Sequence, residues 1–304
     1  MLGNALVLLT YGFTRKIKSM TDVYIINLAV ADILLLTTIP FVATDAVSGW
    51  VFGNAMCKCV QGLHSIDFYS GFIFLTCISV DRYIEIVQAV EAHKMRHRTI
   101  HYSKWVSIMV WIGSILLTTP QFIYSKSVLK EGWYICKMIF PENVTTTVKG
   151  ISNFSQIILG FVIPFFVMVF CYSVIVKTLM SSRSFEKHKA LKVIFSLVIV
   201  FVVFQFPYSL VTLLETTDLL GSKQMPCMES RHKNIALIVT SSLAYIRCCL
   251  NPILYAFVGV RFRKDVLTLL KNIGCISWTR HIKYCSSVKP RQNPAAMDTS
   301  SFYL

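Results

Sequence analysis

The sequence predicts an all-α membrane protein, a seven-transmembrane helix bundle followed by a short amphipathic helix on the membrane surface. Composition is the first reason: of 304 residues, 55% are hydrophobic and 15% charged, against about 25% charged in soluble domains. The second is that the apolar residues come in blocks, several of which pass the ~18-residue spanning length with hardly a charge. The third is that the basic residues gather in short clusters between alternate blocks, the bias that orients membrane proteins. A net charge of +15 can serve nucleic acid, but this clustering explains it without a nucleic-acid partner.

Met1–Phe13 is apolar but short. It carries no basic leader or cleavage pattern and reads as the lower half of a first span whose upper half precedes the chain. The basic residues Arg15, Lys16 and Lys18 follow. A second span, about 23–46, holds Asp32 and a kink signal at Thr38-Ile39-Pro40. The third runs from Cys57 to Tyr83, with Asp67 midway and Asp81-Arg82-Tyr83 at its end. A basic loop, 91–104, leads to a fourth span over 105–124.

The connection 125–150 is polar and holds Cys136 and the glycosylation sequon at Asn143. A fifth span, 151–179, contains Pro164 and Tyr172. A basic loop with Arg183, Lys187, Lys189 and Lys192 precedes a sixth span to about Leu214, broken at Gln205-Phe206-Pro207. A polar loop with Cys227 leads to a seventh span, 234–258, ending in Asn251-Pro252-Ile253-Leu254-Tyr255. The proline there frees a backbone carbonyl, which makes this a hinge.

Three segments are expected: a receptor domain over 1–259, an amphipathic helix over 260–274 lying on membrane lipid, and a disordered tail over 275–304. Cys275 is a candidate for palmitoylation. The basic loops follow spans one, three and five. The N-terminus is therefore expected outside the plasma membrane and the C-terminus in the cytoplasm.

Cys57 and Cys136 both fall on the outer side, where thiols rarely stay unpaired, and are expected to form a disulfide. Cys227 lies outside too, with no evident mate; its partner is expected on an arm preceding the chain. The cysteine spacings do not suit zinc, and no metal or cofactor is expected. Asp81-Arg82 reads either as a releasable ion pair gating a cytoplasmic cleft or as an arginine snorkelling at the interface.

Three charges fall near the midplane: Asp32, Asp67 and Arg247. Isolated charges there are costly and should pair or line water. A catalytic carboxylate dyad must share a proton, which a cation beside both acids opposes. A retinal-type pump needs a lysine in the seventh span, where Arg247 cannot form a Schiff base. No enzyme activity is expected.

Asn4, Asp32, Cys57, Asp81-Arg82-Tyr83, Trp111, Cys136, Pro164, Tyr172, Pro207 and Asn251-Pro252-x-x-Tyr255 stand in the order of a rhodopsin-like G-protein-coupled receptor. Within that family the chain resembles the CC-type chemokine receptors, on Thr21-Asp22-Val23-Tyr24, Trp50-Val51-Phe52-Gly53, Lys187-His188-Lys189-Ala190 and Cys248-Cys249-Leu250-Asn251-Pro252. The resemblance implies a chemokine ligand outside, and heterotrimeric G protein (Gi type) or arrestin inside. It also implies an activation switch of Asp81, Arg82, Tyr83, Tyr172, Gln205, Pro207, Asn251, Pro252 and Tyr255. His64, Tyr208, Glu215 and Ser241 become ligand-pocket candidates.

The chain departs from that family in several places. Members often have Trp at Val42, Tyr at His64 and Glu at Ser241, so the upper cavity is altered. After the Asp-Arg-Tyr triplet the family tends to carry alanine where Glu85 stands. Glu85 is open to two readings, a solvated surface residue or an acid that disturbs G-protein coupling and favours ligand scavenging. Members commonly have Asn at Asp67 and His at Arg247. In related receptors the acid matching Asp32 helps hold a sodium ion. The expectation is that Arg247 bridges Asp32 and Asp67 as a built-in replacement for that ion; the alternative is an arginine facing elsewhere.

Overall fold

The computed structural model describes residues 1–13, 17–130, 132–141, 145–181, 187–221, 227–258 and 260–272. Six helical stretches among them are long and apolar enough to cross a membrane. The shorter apolar helix α1 (Leu2–Phe13) joins them.

The second span is two helices, α2 (Met20–Leu36) and α3 (Ile39–Ser48), broken at Thr37-Thr38. Pro40 lies in the first turn of α3, where a missing N–H costs nothing. The start of α2 is fixed by a capping box in which Ser19 and Asp22 satisfy each other's backbone N–H. The Tyr11 hydroxyl donates to the same Asp22 carboxylate at 2.8 Å, tying α1 to α2.

Helix α4 (Gly53–Val87) is the long third span. It packs against α2, against α5 (Ala89–Leu117) and against α8 (Ile163–Ser181), which makes it the axial helix of the bundle. Its buried residues include the small Gly62, Ser65, Ser70, Gly71 and Ser79. Small residues let helices approach closely where lipid offers no hydrophobic drive between them. Phe68, Tyr69, Phe72 and Phe74 fill the spaces between and join the main core with Leu28, Tyr24 and Phe201.

The fourth span ends in the short α6 (Thr119–Tyr124). An antiparallel hairpin, β1 (Ser125–Lys130) and β2 (Trp133–Met138), follows, with Ser127 opposite Cys136. The polar connection expected over 125–150 is thus partly ordered, and α7 (Thr145–Ile157) begins inside it. Between α7 and α8 the helix widens to a π-turn at Ile158–Val162. Phe68 lies against Gly160 there: a β-carbon on Gly160 would stand 2.4 Å from the Phe68 ring.

Helix α9 (Lys187–Leu220) and helix α10 (Cys227–Val258) complete the bundle, each with an internal proline, Pro207 and Pro252. Helix α11 (Val260–Asn272) follows and buries Leu269. Two stretches expected as loops are instead helical. Residues 91–104 lie in α5, and 187–192 lie in α9. The hydropathy boundary marks where lipid ends, whereas lysine and arginine are good helix formers and carry the helix onward. Cys227 likewise opens α10 rather than lying in a loop.

Candidate functional site

Polar residues converge in three places: the hairpin end of the bundle, its middle, and the end carrying Arg82. At the hairpin end, Cys57 and Cys136 form a disulfide, fastening the start of α4 to β2. Trp50 donates its backbone N–H to the Tyr134 carbonyl at 2.7 Å and its indole N–H to the Gly53 carbonyl at 2.8 Å. Gly49 has φ 73°, and a β-carbon there would stand 2.9 Å from the Tyr134 carbonyl oxygen. Glycine is required there on both counts. Two ion pairs hold the hairpin-end part of α9 to its neighbours: Lys149 to Glu215 at 2.6 Å, and Lys233 to Asp218.

A cavity opens between α4, α9 and α10. His64, Phe68, Phe72, Gln205, Tyr208, Ser241 and Arg247 are among its lining residues. Three of the four pocket candidates therefore share one cavity, while Glu215 lies outside it, on Lys149. Tyr208 donates to Gln156 Oε1 at 2.8 Å, and His64 Nε2 stands 3.4 Å from the Ser241 carbonyl.

Arg247 lies below, in the middle of the bundle. Its Nη2 donates to Asp67 Oδ2 at 2.5 Å, and its Nη1 stands 4.0 Å from Asp32 Oδ1. The guanidinium carbon sits 4.9 Å from the centre of the Phe72 ring, a cation–π contact. Asn251 donates to Asp32 Oδ2 at 2.9 Å. Asn4 donates to the Cys248 carbonyl, also at 2.9 Å, satisfying part of the backbone near Pro252. All three charged side chains are at most 1% exposed. Arg247 therefore faces the bundle interior and its neighbours α2 and α4, not the lipid.

A cation associated with Asp32 is implied by the family resemblance. Asp32, Asp67 and Cys248 do present ligand atoms within 4.8 Å of one another. The residues present do not suit a free ion, because the guanidinium of Arg247 lies among those atoms.

At the remaining end, Asp81 accepts hydrogen bonds from the Thr21 backbone N–H at 2.9 Å and from the Thr21 hydroxyl. Arg82 Nη2 reaches the same hydroxyl at 2.5 Å but stands 3.7 Å from Asp81. Its nearest carboxylate is Glu85, at 2.5 Å from Nη1. Tyr172 is hydrogen-bonded to Ser79 at 2.8 Å, and Tyr83 meets the Phe170 ring.

Among the expected switch residues, Gln205 is buried and reaches Ser209, and Pro207 and Pro252 lie inside their helices. The Tyr255 side chain, the Cys227 side chain, Asn143 and Cys275 fall outside the described residues. Sequence reasoning missed Thr21, Gly71 and Cys248 as site residues. Thr21 stands in the capping sequence Ser19-Met20-Thr21-Asp22, which was a readable signal. Gly71 and Cys248 carry no signal short of their tertiary neighbours.

The cavity is joined through Arg247, Asp67, Asp32 and Asn251 to α2, α4 and α10. That is the layout of a seven-helix receptor, and the chain belongs to the rhodopsin family of 7 transmembrane receptors, which it matches over residues 3–255. It is 45% identical over 274 residues to C-C chemokine receptor type 10 of Mus musculus, covering 90% of this chain and 75% of the relative. To the Homo sapiens receptor of that type it is 44% identical over 303 residues, covering 99% and 83%. To C-C chemokine receptor type 7 of Homo sapiens it is 44% identical over 296 residues, covering 94% and 78%. Within the rhodopsin family it is thus a member of the C-C chemokine receptor group, a multi-pass membrane protein.

Proposed function

We propose that this protein is a plasma-membrane receptor that binds chemokine at its hairpin end and passes the signal to heterotrimeric G protein, of Gi type, and to arrestin at its Arg82 end. The observation that carries the reading is the polar path from the cavity through Arg247, Asp67 and Asp32 to Asn251. It joins four helices that a ligand can bias together. The disulfide favours placing the hairpin end in the oxidising exterior, and the basic stretches at the other ends favour the cytoplasm for Arg82. A ligand bound more tightly by one helix arrangement shifts the population toward it, and coupling to the far side is reciprocal.

A second reading is favoured by Glu85. Its pair with Arg82 lies within one helix, at i and i+3, and survives any movement of helices past one another. An arginine neutralised in both arrangements is a poorer partner for an intracellular protein. This reading is a receptor that takes up chemokine without productive G-protein activation.

One experiment separates them. Cells displaying the receptor are given a panel of CC chemokines, with uptake and G-protein activation read in the same cells. Uptake with activation supports the first reading, and uptake alone supports the second. Surface-displayed receptor that neither takes up nor responds to any chemokine overturns both.

A further inference from the structure

The midplane cluster has the makings of a cation site without a free ion. Two carboxylates and a thiol stand within 4.8 Å of one another, wholly buried. Two carboxylates this close in a medium of low dielectric must either take up protons or hold a cation between them. Arg247 supplies the cation.

The fit of that cation is imperfect in a way that identifies the site. Arg247 bonds Asp67 directly but stops 4.0 Å short of Asp32, and its Nη1 and Nε find no acceptor. Gly71 leaves the space that the guanidinium occupies. A β-carbon at Gly71 would stand 2.8 Å from Nη1 and 3.0 Å from Nη2, both inside van der Waals contact. The Phe72 ring lies against the guanidinium as well.

We propose that Asp32, Asp67 and Cys248 form a latent monovalent-cation site that the protein fills with its own Arg247 side chain, and that Gly71 is the positioning residue that admits it. Two consequences distinguish this from a structural ion pair. The native protein is indifferent to small monovalent cations, because the place is taken. Removal of the guanidinium exposes two carboxylates and creates a binding site where none operated.

The test needs no chemokine, so its outcome is independent of the proposed function. Purified full-length receptor in detergent is heated in sodium chloride and in N-methyl-D-glucamine chloride at equal ionic strength. The wild type should melt at the same temperature in both. Arg247→Gln should melt lower in the organic salt and gain a sodium-specific rise of roughly 3 °C or more, by mass action on the folded state. That gain should vanish in Arg247→Gln with Asp32→Asn. Sodium-specific stabilisation of the wild type overturns the proposal, and so does an Arg247→Gln variant that melts alike in both salts. Gly71→Ala serves where Arg247→Gln does not fold: one methyl group crowding the guanidinium should lower the melting temperature, with sodium recovering part of the loss. A loss equal in both salts overturns the proposal.

Discussion

Two arginines in this bundle each stand between two acids, and they do opposite things. Arg247 is 1% exposed and takes its partners from other helices, Asp67 on α4 and Asp32 on α2. Arg82 is 14% exposed and takes Glu85 and Asp81 from its own helix. The distances are nearly matched: 2.5 and 4.0 Å for the first, 2.5 and 3.7 Å for the second. What differs is the medium and the owner of the partner. A buried pair that crosses helices fixes their relative position, and breaking it strands a charge. A pair within one helix does not by itself fix one helix against another, and a less buried one is more readily screened by water and salt.

Thr21 is the exception that sharpens the contrast. It lies on α2, donates to Asp81 and accepts from Arg82. Thr21 thus ties α2 to α4 at the Arg82 end through a hydroxyl and a backbone N–H, both bonded to charged groups.

The largest effect is expected from Arg247→Ala, which leaves two buried acids facing one another. It should cost about 3–5 kcal/mol, read as lost surface expression and a lowered melting temperature. Asp67→Asn keeps a hydrogen-bond acceptor for the guanidinium and should cost less, about 1–3 kcal/mol; an equal or greater loss would show that the pair is not the organising contact. Thr21→Val removes a hydroxyl bonded to two charged groups and should cost about 1.5–3 kcal/mol, with basal G-protein activation raised because Asp81 loses an interhelix bond. Glu85→Gln should change stability by less than about 1 kcal/mol. Its effect belongs to coupling: ligand-driven nucleotide exchange should rise severalfold while ligand uptake is unchanged. A rise in basal exchange of the same size would instead make Glu85 part of the resting lock. Finally, raising the concentration of N-methyl-D-glucamine chloride should leave the Arg247→Ala penalty unaltered and shrink the Glu85→Gln effect, because the less buried pair is the one that salt screens.

The fold was largely legible because lipid imposes its own grammar. Long uncharged runs could be counted, and Asp32, Asp67 and Arg247 stood out as the charges inside them. Helix ends were less legible, since nothing in 187–192 or 91–104 breaks a helix when hydropathy falls. The site was half legible. Charges announce themselves, but Gly71 among other small residues of α4 becomes meaningful only when a guanidinium is found against it. Thr21 is similar: its partners are 60 and 61 residues away. Glu215, a ligand-pocket candidate by resemblance, is paired with Lys149 of α7, a partner that no local sequence signal announces.

The paired lysines around α9 have a mechanical consequence. Lys149 and Lys233 grip that helix from both flanks near one tip, while Pro207 interrupts its hydrogen-bond ladder partway along. A rod clamped at its hairpin-end tip and softened in mid-length is expected to act as a lever with its pivot at the proline. From Pro207 to Lys187 the arm is about 30 Å long. A tilt of about 10° at the pivot sweeps its far tip through about 5 Å, which turns a small rearrangement beside Gln205 and Tyr208 into a displacement the size of a side chain.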